Sequence, residues 1–216
     1  MKIFIYGDSN TWGQMTNVNG YNKDAIIEQY PSECIWWKGL SNQNTLIING
    51  MCGRSINNEH QFLKNRNAMQ TISTDLLAAR NADVVILQLG TNDCKSQYNL
   101  SAQQIANNMG KLISLIKSQC KATIVLLSPP KICNGNVVTD KYYIGAEYKS
   151  VMLDSEYAKL AKNLKCEFVS CLNAEVGEDG EHLTPAGHLE ISEKVQECIN
   201  KLQKNTKNLN DLTKLR

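Results

Sequence analysis

Five short stretches of the chain are continuously apolar, and segments with helical spacing lie between them. The apolar stretches cover residues 2–6, 45–49, 83–89, 122–127 and 165–170. A continuous apolar run, as opposed to an alternating one, is typical of parallel strands that are buried on both faces. We therefore predict five strands in one parallel sheet, with the stretch at 165–170 as the weakest of them.

The segments between these runs carry apolar residues at helical spacing. Residues 101–118 form an apolar stripe behind Ser101, which is a suitable N-cap, and residues 148–164 repeat the pattern. A last helix opens with Thr184 as cap and Pro185 in the first helical position, and it is expected to run to about residue 202. Residues 32–40 predict one more helix.

Strands that alternate with helices predict an α/β fold, a three-layer α/β/α sandwich with right-handed crossovers. The chain has no internal repeat, no low-complexity segment and no linker. We expect one domain over residues 1–203. Residues 204–216 are polar, and both a loose tail and a short arm that docks on a neighbour remain open.

Composition places the chain among globular proteins and excludes several partners. Of 216 residues, 42% are hydrophobic and 20% are charged, and the net charge of +2 gives no reason to expect nucleic acid. No stretch approaches the ~20 apolar residues of a membrane span. The apolar N-terminal run is too short for a signal peptide, so we expect a cytoplasmic protein, with a leader upstream of the given sequence as the alternative.

The eight cysteines show no C-x-x-C pair. A chain of this length does not need disulfides to be stable, so we expect reduced, mostly buried thiols. No cysteine or histidine spacing matches a structural zinc site, and we predict neither metal nor cofactor.

Polar residues capable of acyl transfer follow the predicted strands. The first strand ends in Gly7-Asp8-Ser9, which would place a serine hydroxyl on a tight turn at a helix start. The third ends in Gly90-Thr91-Asn92-Asp93, and the Asn92 amide can donate to an oxyanion. Gly53, after the second strand, offers a backbone N–H for the same purpose. Each motif alone is also common in ordinary turns.

An acid–base pair stands near the C-terminus. Asp179 precedes His182 by three residues, a spacing that lets the carboxylate orient the imidazole and support its protonated form. Asp8 and Asp93 compete with Asp179 for this role, although we expect Asp8 to have a local structural role and Asp93 to tie down its own turn. His60 and His188 are interpreted as cap or surface residues, with His188 packing against its own helix.

Together these residues resemble, in order and spacing, the four sequence blocks of the SGNH (GDSL) hydrolases. The matching residues are Gly7-Asp8-Ser9, Gly53, Gly90-Thr91-Asn92-Asp93 and Asp179-x-x-His182. The resemblance implies a flavodoxin-like sandwich of about five parallel strands and a triad of Ser9, Asp179 and His182. It implies an oxyanion hole formed by the N–H of Ser9, the N–H of Gly53 and the Asn92 side chain. Asn10 departs from the family pattern, which has leucine there.

Local strings are similar to the arylesterase and acyltransferase branch of that family, among them Gly7-Asp8-Ser9-Asn10-Thr11-Trp12-Gly13, Tyr30-Pro31, Gly53-Arg54-Ser55 and Ser128-Pro129-Pro130. This likeness implies hydrolysis of small, often acetyl, esters, with acyl transfer and homo-oligomers as further expectations. The asparagine-rich segment 14–29 has no counterpart there. Trp12 is a candidate for the substrate pocket, and packing at the first helix is an equal alternative.

A flavodoxin-like sheet can also bind a nucleotide or flavin without catalysis. The first turn lacks a G-x-G-x-x-G or P-loop pattern, and a binding protein would not need Asp179-x-x-His182. We therefore rank ester hydrolysis first, while the alcohol half of the substrate stays open.

Overall fold

A five-stranded parallel sheet forms the centre of the molecule. The computed structural model describes residues 1–16 and 27–214. The strands are β1 (Lys2–Gly7), β2 (Thr45–Gly50), β3 (Val84–Gln88), β4 (Thr123–Leu127) and β5 (Glu167–Val169), in the order β2-β1-β3-β4-β5. This is the flavodoxin-like order, in which the chain reverses direction across the sheet between β1 and β3. All five predicted strands form, in parallel register.

Six α-helices connect and cover the strands within the described residues. They are α1 (Ser9–Trp12), α2 (Ala68–Asp75), α3 (Ala102–Gln119), α4 (Val137–Tyr142), α5 (Ala146–Leu164) and α6 (Pro185–Lys214). The predicted cap of α3 is confirmed, because Ser101 and Gln104 form a reciprocal capping box. Among these helices, none is long and apolar enough to cross a membrane.

The C-terminal helix differs from the prediction. α6 continues to Lys214, so the expected helix end near residue 202 is wrong, and residues 204–214 are helical and not a loose tail. Residues 203–214 contain neither glycine nor proline, so nothing in the sequence stops the helix once it has started.

The predicted helix over residues 32–40 is replaced by two 3₁₀ segments, Ser32–Cys34 and Trp36–Asn42. Ile35 between them has extended backbone angles, which breaks the helical path. Trp36, in the second of these segments, is buried at 1% exposure, and its indole N–H donates to Gln88 Oε1 at 2.9 Å.

Alternate strand residues enter two separate cores. Phe4, Val85 and Leu126 pack with α2, α3 and α5 on one face of the sheet. Ile5 and Ile86 pack on the other face with Trp36 and the apolar stripe of α6. Successive side chains of a strand point to opposite faces, so continuously apolar strands produce two cores and three layers. This confirms the predicted α/β/α sandwich.

The cysteines are all free, as predicted, but they are not mostly buried. Only Cys94, Cys120 and Cys171 are buried, and Cys133 is exposed. Two of the partly exposed cysteines lie at the ends of elements: Cys34 ends a 3₁₀ segment, and Cys166 directly precedes β5. An apolar sequence pattern does not show how much of a side chain at such an end is exposed.

Candidate active site

The turn after β1 presents Ser9 at the carboxyl end of the sheet. Asp8 caps the short helix α1, with its Oδ1 accepting the N–H of Asn10 at 3.0 Å. Gly7 permits the close packing of this turn, since a Cβ there would lie 2.0 Å from Thr11 Oγ1 and 2.7 Å from the Gln88 carbonyl oxygen. Ser9 is therefore placed by a turn that only glycine can precede.

A relay of hydrogen bonds joins the three predicted triad residues. Ser9 Oγ lies 2.9 Å from His182 Nε2, and His182 Nδ1 lies 2.8 Å from Asp179 Oδ2. Asp179 Oδ1 also accepts the N–H groups of Glu181 and His182, at 3.1 and 3.0 Å. Asp179 thus binds both the His182 ring and the backbone that carries it, so the imidazole is held in a fixed position relative to the aspartate.

Asn10 connects the nucleophile turn to the histidine loop. Its side-chain N–H donates to the Glu181 carbonyl at 3.1 Å, and its Oδ1 accepts the Leu183 N–H at 2.9 Å. Those two backbone groups flank His182. The residue that departs from the family pattern therefore clamps the segment that carries the imidazole, a role that sequence reasoning missed.

Glu181 supplies a buried negative charge next to the imidazole. It is 1% exposed, and its Oε2 accepts a hydrogen bond from the Tyr143 hydroxyl. Burial alone would lower the pKa of His182, but the charges of Glu181 and Asp179 outweigh burial, so the net pKa lies above its ordinary value. Sequence reasoning missed Glu181, because a glutamate in a loop is ordinarily a surface residue.

Gly53 and Asn92 are linked to the strand that precedes Ser9 through Arg54, the residue that follows Gly53. The Asn92 side chain donates one N–H to the Arg54 carbonyl at 3.1 Å, and its amide has a second N–H. Gly53 has φ of +78°, a conformation that favours glycine. Among the described residues, no hydrogen bond uses the backbone N–H of Ser9 or of Gly53. These three groups are the donors that the sequence pointed to.

Arg54 holds the ends of β1 and β2 together beneath these donors. The fully buried guanidinium stacks 4.0 Å from the Tyr6 ring centroid. It donates to the carbonyls of Gly7 and Asn49, at 2.9 and 2.6 Å. Its own carbonyl receives Asn92. One residue therefore contacts the segments that carry all three predicted donors, which sequence reasoning also missed.

The profile of the GDSL-like lipase/acylhydrolase family matches residues 5–189. The chain belongs to this family. It is therefore a carboxylic ester hydrolase of the GDSL type, as the sequence predicted. Among curated proteins, none matches this chain in sequence.

Solved structures share the fold of this GDSL-type hydrolase. Est24, a carbohydrate acetylesterase from Sinorhizobium meliloti, has a TM-score of 0.84 at 24% identity, over 93% of this chain and 99% of that one. The aryl esterase of M. smegmatis gives the same four values. A putative arylesterase from Agrobacterium tumefaciens has a TM-score of 0.79 at 20% identity, over 93% and 98% of the two chains.

The two other buried aspartates of the hydrolase have different partners. Burial raises the pKa of Asp8 to about 7 and that of Asp93 also to about 7. Asp93 was expected to tie down its own turn; it hydrogen-bonds its own backbone there, and it also accepts the Ile56 N–H at 3.1 Å and the Asn58 side chain at 2.8 Å. It binds the loop that follows Gly53. The His182 ring is hydrogen-bonded to Asp179 and not to Asp8 or Asp93.

The remaining sequence candidates lie around the site. His60 accepts the N–H groups of Phe62 and Leu63, and its ring faces the Cα of Gly53. His188 is fully buried, so the interpretation as a surface residue is wrong, and its ring packs edge-on against Tyr30, which lies outside its own helix.

Trp12 and the segment 14–29 are described only in part. Trp12 is half-buried at the end of α1, and its pocket role stays a prediction. Gln14 pairs with Gln29, while residues 17–26 lie outside the described residues.

Within residues 1–16 and 27–214, no three histidine, cysteine, aspartate or glutamate side chains form a group that could hold a metal ion.

Proposed function

We propose that the chain hydrolyses small, acetyl-like esters through an acyl-enzyme on Ser9, with His182 as general base and Asp179 as its partner. The observation that carries this proposal is the unbroken relay from Ser9 Oγ to His182 at 2.9 Å and on to Asp179 at 2.8 Å. Both distances lie in the range in which a proton can pass from a nucleophile to its base.

In the first half of the reaction, Ser9 Oγ attacks the ester carbonyl while His182 Nε2 takes the hydroxyl proton. The negative Asp179 stabilises the imidazolium that forms. The carbonyl oxygen becomes an oxyanion, which the N–H groups of Ser9 and Gly53 and the Asn92 amide hold. The imidazolium then protonates the leaving alkoxide, and the acyl group stays on Ser9.

In the second half, a water molecule gives its proton to His182 as its oxygen attacks the acyl-enzyme. Collapse of the second tetrahedral intermediate returns the proton to Ser9 and releases the carboxylic acid. An alcohol in place of water would give acyl transfer, which we also propose. The names of the structural neighbours, aryl esterase and carbohydrate acetylesterase, support a small acyl group.

We also propose the location of the protein and the partners of this reaction. A cytoplasmic location agrees with the free state of all eight cysteines. The net charge of +2 agrees with a small ester and not a nucleic acid as the partner. A homo-oligomer remains a proposal that rests on the family resemblance.

The test is hydrolysis of p-nitrophenyl acetate by the wild type, Ser9→Ala and the control Ser114→Ala, in which an exposed serine is removed. We expect Ser9→Ala to lose turnover and to lose labelling by a fluorophosphonate, because the nucleophile is absent. Ser114→Ala should behave as wild type. Full activity in folded Ser9→Ala would refute the proposal.

Acyl length is tested with p-nitrophenyl acetate, butyrate and octanoate. We expect the highest kcat/KM with acetate, because Ser9, Asn92 and His182 are all less than 5% exposed and leave little room around the nucleophile. A preference for octanoate would overturn the small-acyl assignment but not the role of Ser9.

A further inference from the structure

Arg66 contacts the loop that carries Gly53. Its Nε donates to the Cys52 carbonyl at 2.7 Å, and its Nη1 donates to the Lys64 carbonyl at 3.0 Å. The Arg66 carbonyl in turn accepts the Ser55 N–H at 2.8 Å. The side chain of Arg66 therefore binds the loop before Gly53, and its backbone carbonyl binds the loop after it.

The carbonyl that Arg66 binds belongs to the same peptide group as the N–H of Gly53. The peptide bonds of the described residues are all trans, so the Cys52 carbonyl and the Gly53 N–H point in opposite directions. A guanidinium on the carbonyl fixes the direction of the N–H on the far side. It also draws electron density toward the oxygen, because hydrogen bonds in a chain polarise one another.

We propose that Arg66 is a positioning residue of the oxyanion hole, which aims and polarises the Cys52–Gly53 peptide toward the developing oxyanion. This inference rests on the proposed function, since it requires that Gly53 donates to the oxyanion. The Arg66 guanidinium lies on the carbonyl side of the Cys52–Gly53 peptide, and the negative charge of the oxyanion develops on its N–H side. The interaction therefore strengthens as the transition state forms, and this difference is what accelerates a reaction.

Arg54 provides an internal contrast. It also binds carbonyls, those of Gly7 and Asn49, but the N–H groups of those peptides belong to Asp8 and Gly50. The Asp8 N–H is already bonded to the Gln88 carbonyl at 3.3 Å. Arg54 therefore fixes strand ends, whereas Arg66 acts on the peptide of a proposed donor.

The experiment compares Arg66→Met, Arg66→Gln and Arg66→Lys with the control Lys64→Met, which removes an exposed positive charge two residues away. Steady-state kinetics with p-nitrophenyl acetate give kcat and KM separately. Inhibition by a boronic acid, which forms a tetrahedral adduct on serine, gives the affinity for a transition-state analogue. Thermal unfolding shows whether each variant is folded.

We expect kcat of Arg66→Met to fall about tenfold with KM nearly unchanged, less than the hundredfold or more that follows loss of a whole donor. Boronate affinity should fall in parallel. Arg66→Gln and Arg66→Lys should be intermediate, because each keeps a donor for the Cys52 carbonyl. Lys64→Met should match the wild type. A folded Arg66→Met with unchanged kcat, or an equal loss in Lys64→Met, overturns the proposal.

A readout independent of activity is the amide resonance of Gly53, which responds to the hydrogen bond on the preceding carbonyl. We expect it to shift in Arg66→Met, to recover in part in Arg66→Lys and to stay in place in Lys64→Met. An unmoved resonance contradicts polarisation by Arg66. If instead the wild type neither hydrolyses esters nor takes the fluorophosphonate label, the proposed function fails, and the resonance still decides the peptide contact.

Discussion

The acid–base half of the site and its oxyanion half are held by different kinds of contact. In the acid–base half, side chains bind side chains: Ser9 to His182 and His182 to Asp179. In the oxyanion half, guanidinium groups bind main-chain carbonyls, and the proposed donors are oriented through the backbone. A group that transfers a proton needs its own atoms fixed, whereas a donor that keeps its proton needs only a fixed direction.

The two halves also differ in charge. Asp8, Asp179 and Glu181 surround the imidazole, and each favours its protonated form. Arg54 and Arg66 stand on the side where the proposed oxyanion forms. Under the proposed mechanism, negative charge therefore lies where the imidazolium develops and positive charge lies behind the proposed oxyanion donors, an arrangement that stabilises a charge-separated transition state.

The largest effect is expected from breaking the acid–base half at Asp179. Asp179→Asn should lower kcat/KM for p-nitrophenyl acetate by about 10⁴-fold, because an amide can present the wrong tautomer of His182 and leaves the imidazolium unsupported. The control is Glu178→Gln, which removes an exposed carboxylate from the neighbouring position and should have little effect. A loss below tenfold in folded Asp179→Asn would mean that another group supports the base.

A smaller effect is expected from the oxyanion half. Asn92→Ala should lower kcat by about a hundredfold to a thousandfold with little change in KM, because the amide is needed only when the oxyanion forms. Thermal unfolding is the control for fold, since the Arg54 carbonyl also loses its partner at 3.1 Å. If KM rose while kcat held, Asn92 would be a ground-state contact and the two halves would not divide as described.

The smallest effect concerns the charge beside the imidazole. His182 must be neutral to accept a proton, so activity falls below its pKa, which lies above the ordinary value. Glu181→Gln keeps a partner for Tyr143 but removes a charge that raises this pKa. The acid limb of the kcat/KM profile should therefore move to lower pH. Burial raises the pKa of Asp8 to about 7, so the limb reports both groups.

The same pH profile measured on Glu178→Gln shows whether the shift in the acid limb requires the loss of the charge beside His182 or follows the loss of any nearby carboxylate. That variant should leave the acid limb in place, since Glu178 is exposed and its charge is screened by water. An acid limb that stayed fixed in Glu181→Gln, or moved upward, would show that Glu181 does not support the imidazolium.

The sheet was predictable because a strand buried on both faces must be apolar throughout. Predicted and observed strand ends agree within two residues at β1 to β4, and the family blocks pointed to Ser9, Asp179 and His182, which the structure brings together. The end of α6 was missed because a polar segment without glycine or proline contains no stop signal.

The supporting contacts of the site could not be predicted, because they depend on where distant segments meet. Asp93 was expected to bind its own turn, but its bonds to residues 56 and 58, in a loop more than 30 positions away, were not predicted. Asn10 was recognised only as a departure from a pattern, yet it bonds on both sides of His182. Nothing in the sequence near residue 10 indicates a partner near residue 182.

That last separation has a consequence for how the protein acquires activity. The hydrogen bond between Ser9 and His182 closes a loop of 173 residues, and the Asn10 bond to Leu183 spans the same interval. Ser9 is synthesised 173 residues before His182, so a growing chain carries a serine without its proposed base until the segment around His182 has been made and has docked. We therefore expect recovery of ester hydrolysis after denaturation to report the docking of the segment that carries His182 onto the nucleophile turn.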